Sequence, residues 1–298
     1  MQETKDGGEE HAKKRKTYTP TEMPRNLKNA ALMYHDSIPE FDPHEVYPHN
    51  AFISVFGRRG IGKTFWADWF CSFLRDVFDV AIVITNTKFN NFWTRRVGPE
   101  FVVSPAFPHG SRAVENLLKR QEIMVSKNGN AWKMPNLRYH PNKALIIFDD
   151  IISQRQSHSS NQILKCAVEG RHLDVMVLLL TNYPKAIGTE ARECTDYGVI
   201  FGQRTQNARE FVAQQFLSGV THPADGLSKI EDHRQKMKFL EDYTSGHDCL
   251  ITVQKAKNTS DITQLYRSCT KATEPPTYFL GNKEQKKYAA QSLSNQRK

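Results

Sequence analysis

The sequence lacks any long uninterrupted apolar stretch. Its longest apolar runs, such as residues 175–180, have about a third of the roughly 20 residues that a membrane-spanning helix needs. The amino-terminal residues are charged rather than apolar, which differs from the pattern of a secretory signal peptide. We therefore expect a soluble protein that has no membrane span and is not exported by a classical signal.

Cysteines are few and far apart. The five of them occupy positions 71, 166, 194, 249 and 269, with no C-x-x-C pair and no His/Cys cluster at the spacing of zinc ligands. Disulfide frameworks belong mainly to small secreted chains. This usage therefore predicts reduced thiols and an intracellular location. The sequence also contains no internal repeat.

Acidic residues are the minority among the charges. The chain has 41 Lys and Arg and 32 Asp and Glu, a formal net charge of +9. Residues 254–298 alone hold nine basic and three acidic residues. A basic balance favours a polyanionic partner such as DNA through counterion release, but a charged terminal segment is as often simply solvated.

One segment carries a specific chemical signal. Residues 57–64 fit the phosphate-binding pattern G-x-x-x-x-G-K-[ST], between an apolar run typical of a strand (51–56) and apolar residues at helical spacing (65–74). The order strand, glycine loop, helix is the one that this motif requires. We assign nucleotide binding to the whole loop: Gly57, Arg58, Arg59, Gly60, Ile61, Gly62, Lys63 and Thr64.

The residue types of this loop explain how it would hold a nucleoside triphosphate. The glycines allow a tight turn whose backbone N–H groups converge on an anion at the positive end of the helix dipole. Lys63 supplies a mobile charge for the outer phosphates. The Thr64 hydroxyl is of the type that ligates the accompanying Mg²⁺.

Further apolar runs predict an α/β fold. Helical patterns cover 111–127, 160–170, 206–218 and 227–243, and strand patterns cover 80–85, 144–148, 175–180, 197–201 and 249–253. Strands that are apolar throughout are buried on both faces. We therefore predict a P-loop NTPase with a mainly parallel sheet and helices on both faces, flanked by flexible basic tails. The predicted domains are a disordered basic arm with its lead-in (1–45), the ATPase core (46–255) and a basic polar extension (256–298) whose last fifteen residues are unstructured.

Two acids complete the predicted site. Asp149 and Asp150 directly follow the strand 144–148, and ligands of open α/β sheets bind at this carboxyl edge. The first carboxylate would hold Mg²⁺ and the second would orient or deprotonate the attacking water. Asn182, after the next strand, is our candidate sensor of the γ-phosphate. Arg171 and Arg192 are candidates for an arginine supplied by a neighbouring subunit.

Several segments together resemble the FtsK/HerA superfamily, and within it the poxvirus-type genome-packaging ATPases of large DNA viruses and related elements. The resemblance covers about residues 50–268 and rests on segments 56–64, 146–150, 170–172, 181–184, 191–192, 195–197, 248–253 and 258–259. Two residues depart from the superfamily pattern, since Asp150 stands where Glu is frequent and Asn182 where Gln is frequent. Because reach is set by geometry before acidity, the shorter Asp150 leaves the catalytic base open.

The resemblance implies a motor. It implies a homo-oligomeric ring that hydrolyses ATP between subunits and drives double-stranded DNA into a capsid, with a capsid or portal protein as a further partner. The corresponding location is the cytoplasm or nucleus of an infected cell, or the virion. Alternatives are a nucleotide-switched module that binds DNA or capsid with little turnover, a related translocase or helicase, and a small-molecule kinase with Arg204 and Arg209 in a lid.

Overall fold

A single β-sheet organises the protein in the computed structural model, which describes residues 38–46, 50–87, 91–106, 108–129, 143–151, 157–217, 233–255, 262–270 and 272–296. Within these residues the sheet has eight strands in the order β3-β2-β4-β5-β1-β6-β7-β8. They are β1 Phe52–Phe56, β2 Val80–Thr85, β3 Val102–Val103, β4 Ala144–Asp149, β5 Val175–Thr181, β6 Tyr197–Phe201, β7 Cys249–Val253 and β8 Tyr266–Cys269.

The strands are parallel from β3 to β6, and β7 and β8 continue the sheet antiparallel. The helices are α1 Lys63–Phe73, α2 Thr94–Val97, α3 His109–Asn128, α4 Ser157–Glu169, α5 Thr189–Glu193, α6 Gln206–Phe216, α7 His233–Tyr243, α8 Ile262–Leu265 and α9 Lys283–Gln296. None of the helices in the described ranges is both long and apolar enough to cross a bilayer.

Alternate residues of each central strand enter different hydrophobic clusters. In β4, Ile146 and Phe148 belong to one cluster, whereas Leu145 and Ile147 belong to the other. One cluster includes residues of α3, α4 and α6, and the other includes the apolar face of α1. Continuous apolar strands are stable only with both faces covered. The predicted mainly parallel α/β sheet is confirmed, and the pattern missed only the two short strands β3 and β8 among the strands described.

The position of β5 matters most for function. It pairs with β1 on one side and β4 on the other, so that Phe56 is level with Thr181 and Asp149 is level with Leu180. The carboxyl ends of the three strands therefore lie side by side. The residues that follow them are the phosphate loop, Asp150 and Asn182, and β5 brings Asn182 between the other two.

The carboxyl-terminal residues correct one expectation. We predicted that the last fifteen residues are unstructured, but α9 extends over most of them. The Gln285 side-chain amide accepts from Ala81 N at 3.0 Å and donates to Ala81 O at 2.9 Å, on the edge of β2 where β3 does not reach. A side-chain amide thus replaces a strand partner. The apolar pattern of the sequence did not predict α9, because a single buried glutamine produces no hydrophobic periodicity.

Parts of other predictions fall outside the described residues. These are residues 1–37 of the basic arm, residue 218 at the end of the predicted helix 206–218, residues 227–232 at the start of the predicted helix 227–243, and the motif segment 258–259. The domain boundaries at 45 and 255 stay a prediction.

Candidate active site

The phosphate loop has the backbone that its glycines make possible. Gly60 and Gly62 adopt φ of 77° and 106°, in the left-handed region that residues with a Cβ rarely enter. Gly57 is required for a different reason. A Cβ there would lie 2.7 Å from Phe201 Cβ and 2.8 Å from Ile61 Cγ2, so the loop packs directly against β6.

Lys63 lies inside this loop. Its Nζ donates to the carbonyl oxygens of Gly57 at 2.9 Å and Arg58 at 3.0 Å, and to Asn182 Oδ1 at 2.5 Å. The side chain is buried, with 8% of its surface exposed. These contacts fix the ammonium at the centre of the loop, where the outer phosphates of a nucleotide would meet it.

Asp149 is held by two donors from distant segments. Thr64 Oγ1 lies 3.5 Å from Asp149 Oδ1, and Trp93 Nε1 donates to Asp149 Oδ2 at 2.8 Å. Trp93 directly precedes α2 and is buried. Sequence reasoning missed Trp93, because an indole in an irregular segment far from both motifs carries no local signal of a contact with the carboxylate.

Asp150 has an unusual backbone. Its φ is 52°, which is uncommon for a residue other than glycine, and its N–H donates to Leu180 O at 3.1 Å. Asn182 Nδ2 donates to Asp150 Oδ1 at 2.7 Å. Asn182 therefore joins Lys63, through its oxygen, to Asp150, through its nitrogen.

The pKa values of the two central charges shift in opposite directions. Burial lowers the pKa of Lys63 from its ordinary value, and the nearby Asp150 and Asp149 oppose this shift. Burial raises the pKa of Asp149, and so does Asp150, while the bonds from Trp93 and Thr64 and the charge of Lys63 act the other way. Burial thus penalises both charges, and an arriving phosphate or Mg²⁺ would relieve that penalty.

His247 is a second residue that sequence reasoning missed. It lies in the turn between α7 and β7, and its Nδ1 is 3.0 Å from Ile61 O. Because a carbonyl oxygen only accepts, Nδ1 is the protonated nitrogen in this contact. The ring supports the loop at Gly62, whose added Cβ would lie 3.5 Å from Nδ1.

A cavity of about 550 Å³ opens beside these residues. Asp150 and Asn182 line it, and the other lining residues come from the phosphate loop, from the segment after β5, from the segment between β6 and α6 and from the first turn of α6. The cavity therefore adjoins the pair Asp150 and Asn182, to which we assigned the attacking water and the sensor.

The two candidate arginines do not reach this site within their own chain. Arg171 pairs with Asp196 at 2.6 Å, and its carbonyl accepts from Asn50, which precedes β1. It is thus at the amino edge of the sheet, at the opposite end of the five-residue strand β1 from the phosphate loop. Arg192 donates to Thr189 Oγ1 at 3.0 Å and lies 5.1 Å from the ring centre of Phe211. A catalytic role for either arginine requires a neighbouring subunit and stays a prediction.

The residues fit ATP and Mg²⁺ chemically. The positive-φ glycines and the buried Lys63 suit a phosphate chain, and Thr64 with Asp149 offers two oxygens close enough to share one cation. Within the described ranges, no group of three or more His, Cys, Asp or Glu is arranged as a metal site. Mg²⁺ needs no such group, because it is usually held by one or two protein oxygens together with phosphate oxygens and waters.

Comparisons with known proteins give similarity in structure alone. No family model matches the chain, and no curated protein matches it. B204, the DNA-packaging ATPase of Sulfolobus turreted icosahedral virus, is similar at 14% identity over 74% of this chain and 98% of B204, with a TM-score of 0.47.

Two further structures illustrate the range of this similarity. The genome-packaging NTPase B204 of Sulfolobus turreted icosahedral virus 2, in complex with sulfate, shares 13% identity over 80% of this chain and 100% of its own, with a TM-score of 0.48. The pCW3 conjugation coupling protein TcpA with ATPγS shares 9% identity over 83% of this chain and 65% of its own, with a TM-score of 0.47.

Proposed function

We propose that the protein is a Mg²⁺-dependent ATPase. One observation carries the proposal: Asn182 links Lys63 of the phosphate loop to Asp150, beside an Asp149 that lies 3.5 Å from the Thr64 hydroxyl. Each group corresponds to a role in phosphoryl transfer to water. A glycine-rich turn formed for purely structural reasons has no need to gather a lysine, an amide and two carboxylates at one edge of the sheet.

The proposed roles follow from these contacts. The loop N–H groups and Lys63 hold the phosphates, and Thr64 with Asp149 would hold Mg²⁺. When bound, Mg²⁺ neutralises charge on the outer phosphate oxygens. Asn182 fixes Asp150 Oδ1, and we assign the other carboxylate oxygen to the attacking water. The fixed orientation of Asp150 compensates for its short side chain, since geometry decides whether a base reaches its proton.

We further infer that hydrolysis drives movement of double-stranded DNA by a homo-oligomeric ring, and that this movement packages viral DNA into a capsid. The segments that resemble FtsK/HerA packaging ATPases support this inference, as does the net charge of +9. Arg171, at the amino edge and with its side chain largely exposed, could then serve a neighbouring nucleotide. Such a motor would work in an infected cell or in the virion.

The first experiment is ATP hydrolysis by the full chain, with and without linear double-stranded DNA. Lys63→Ala is the blank, and Lys119→Ala, an exposed lysine of α3, is the matched control. DNA-stimulated turnover that only Lys63→Ala abolishes would support the motor. Nucleotide binding without turnover in any condition would contradict it and favour the nucleotide-switched module. Turnover that needs a small acceptor instead of water would favour the kinase.

A further inference from the structure

The cavity beside the active site collects basic residues. Arg58 and Arg59 of the phosphate loop, Lys185 after β5 and Arg204 before α6 all line it, whereas Asp150 is the one acidic residue among the lining residues that the structure describes. We name these four residues the basic rim. All four are exposed. The described part of the lining therefore has a surplus of three positive charges around a cavity of about 550 Å³.

The arginines of the basic rim differ from most of the other arginines whose side chains the structure describes. Six arginines elsewhere in the described ranges pair with carboxylates: Arg75, Arg96, Arg120, Arg171, Arg209 and Arg267. No such pair forms for Arg58, Arg59 or Arg204 among the described residues. Like charges that outnumber the counter-charges near them repel one another, so an anionic partner would stabilise the basic rim.

The nucleotide contacts that we assign include Arg58 and Arg59 but neither Lys185 nor Arg204. In the proposed site the phosphates are held by loop N–H groups and Lys63, which is buried under the loop. Lys185 and Arg204 come from the segments after β5 and β6, the two strands that flank β1 and its loop in the sheet. Exposed and spread over three segments, the basic rim suits a partner with several spaced negative charges.

We propose that the basic rim binds the phosphate backbone of double-stranded DNA and thereby couples DNA binding to the active site. A duplex carries one phosphate charge per about 1.7 Å of its axis, so it can contact several of these residues at once. Tyr183, with 58% of its surface exposed, lines the same cavity and offers a hydroxyl to the backbone.

The coupling follows from chain connectivity. Lys185 is three residues after Asn182, and Arg58 directly follows Gly57, whose carbonyl accepts from Lys63. A phosphate held by the basic rim would therefore restrain the two segments that position Lys63 and Asp150. This step rests on the proposed ATPase function, whereas the binding of DNA does not.

The test uses the full chain and a labelled double-stranded oligonucleotide of mixed sequence. Its dissociation constant is measured without nucleotide across a series of salt concentrations for a double variant, Lys185→Gln with Arg204→Gln. The matched control is Arg112→Gln with Lys119→Gln, which removes the same charges from the exposed face of α3. Neither pair includes a residue that we place at the nucleotide.

Loss of two phosphate contacts should weaken DNA binding roughly 10-fold or more at 0.1 M salt and reduce the slope of log K against log salt by about 1.8. The control should keep the wild-type slope. Equal slopes in the two double variants would overturn the proposal. The proposal would also be overturned if the Lys185→Gln and Arg204→Gln double variant lost as much affinity for a non-hydrolysable ATP analogue, measured without DNA, as it loses for DNA. The cavity would then belong to the nucleotide.

The coupling is tested separately through DNA-stimulated hydrolysis. Basal hydrolysis should persist in the Lys185→Gln and Arg204→Gln double variant while its stimulation by saturating DNA falls. Full stimulation at saturating DNA would overturn the coupling. A wild-type chain that binds DNA through the basic rim but hydrolyses no ATP would refute the proposed function and leave the DNA-binding inference supported, so the two failures are distinguishable.

Discussion

Replacing Trp93 with Phe tests whether the indole prepares Asp149 for Mg²⁺. The substitution removes the N–H that donates to Asp149 Oδ2 at 2.8 Å. A hydrogen bond to a charged group contributes about 1.5–3 kcal/mol, and loss of a partner that orients a metal ligand typically costs about 10- to 100-fold in metal affinity. We therefore expect Trp93→Phe to raise the Mg²⁺ concentration required for half-maximal nucleotide binding by at least roughly 10-fold.

Trp66→Phe is the matched control. Trp66 is also buried, and its Nε1 has no hydrogen-bond partner among the residues that the structure describes. The two variants lose the same ring volume from the core, but only one loses a bond to a carboxylate. Both should lower the free energy of unfolding, whereas only Trp93→Phe should change the requirement for Mg²⁺.

The assay is a titration of free Mg²⁺ against binding of a fluorescent non-hydrolysable ATP analogue, repeated at several pH values. A proton on Asp149 competes with Mg²⁺, and burial already raises the pKa of this carboxyl. Mg²⁺ affinity should therefore fall as the pH falls through that raised pKa, and in Trp93→Phe the fall should begin at a higher pH. The same Mg²⁺ requirement in the two variants would refute the reasoning.

Three further predictions concern loop packing and a buried charge. Gly57→Ala should destabilise the protein by about 1–3 kcal/mol in urea unfolding, because its Cβ would meet Phe201 at 2.7 Å; an unchanged midpoint would contradict this. His247→Ala should weaken nucleotide binding a few-fold in a fluorescence titration, since a neutral hydrogen bond to Ile61 contributes about 1 kcal/mol; equal affinity would show that the ring does not support the loop. Burial lowers the pKa of Lys143 from 10.5 to about 8. Between pH 8 and pH 10.5, Lys143 is therefore protonated in the unfolded chain and neutral in the native chain. The free energy of unfolding should therefore rise by about 3 kcal/mol as the pH increases through that range. Urea unfolding at pH 7.5, 9 and 10.5 measures this rise, which should be absent in Lys143→Met.

The sequence predicted the central strands and the two halves of the site, because both depend on short-range patterns. A buried strand appears as a continuous apolar run, and the phosphate loop is one uninterrupted segment between a strand and a helix. Asp149 and Asp150 were found in the same way, from their place directly after an apolar run. The prediction failed at α9, where the buried Gln285 and the small Ala289 do the packing that apolar residues usually do.

The tertiary structure decided how these pieces meet. The order of strands is a long-range property, and only the insertion of β5 between β1 and β4 brings Asn182 into contact with both Lys63 and Asp150. Trp93 and His247 reach the site from irregular segments, where single side chains have no periodic signal. The sequence by itself thus determined which chemical groups the proposed nucleotide site contains. The folded sheet decided the partners of these groups and the convergence of the basic rim, because both depend on contacts between residues far apart in the chain.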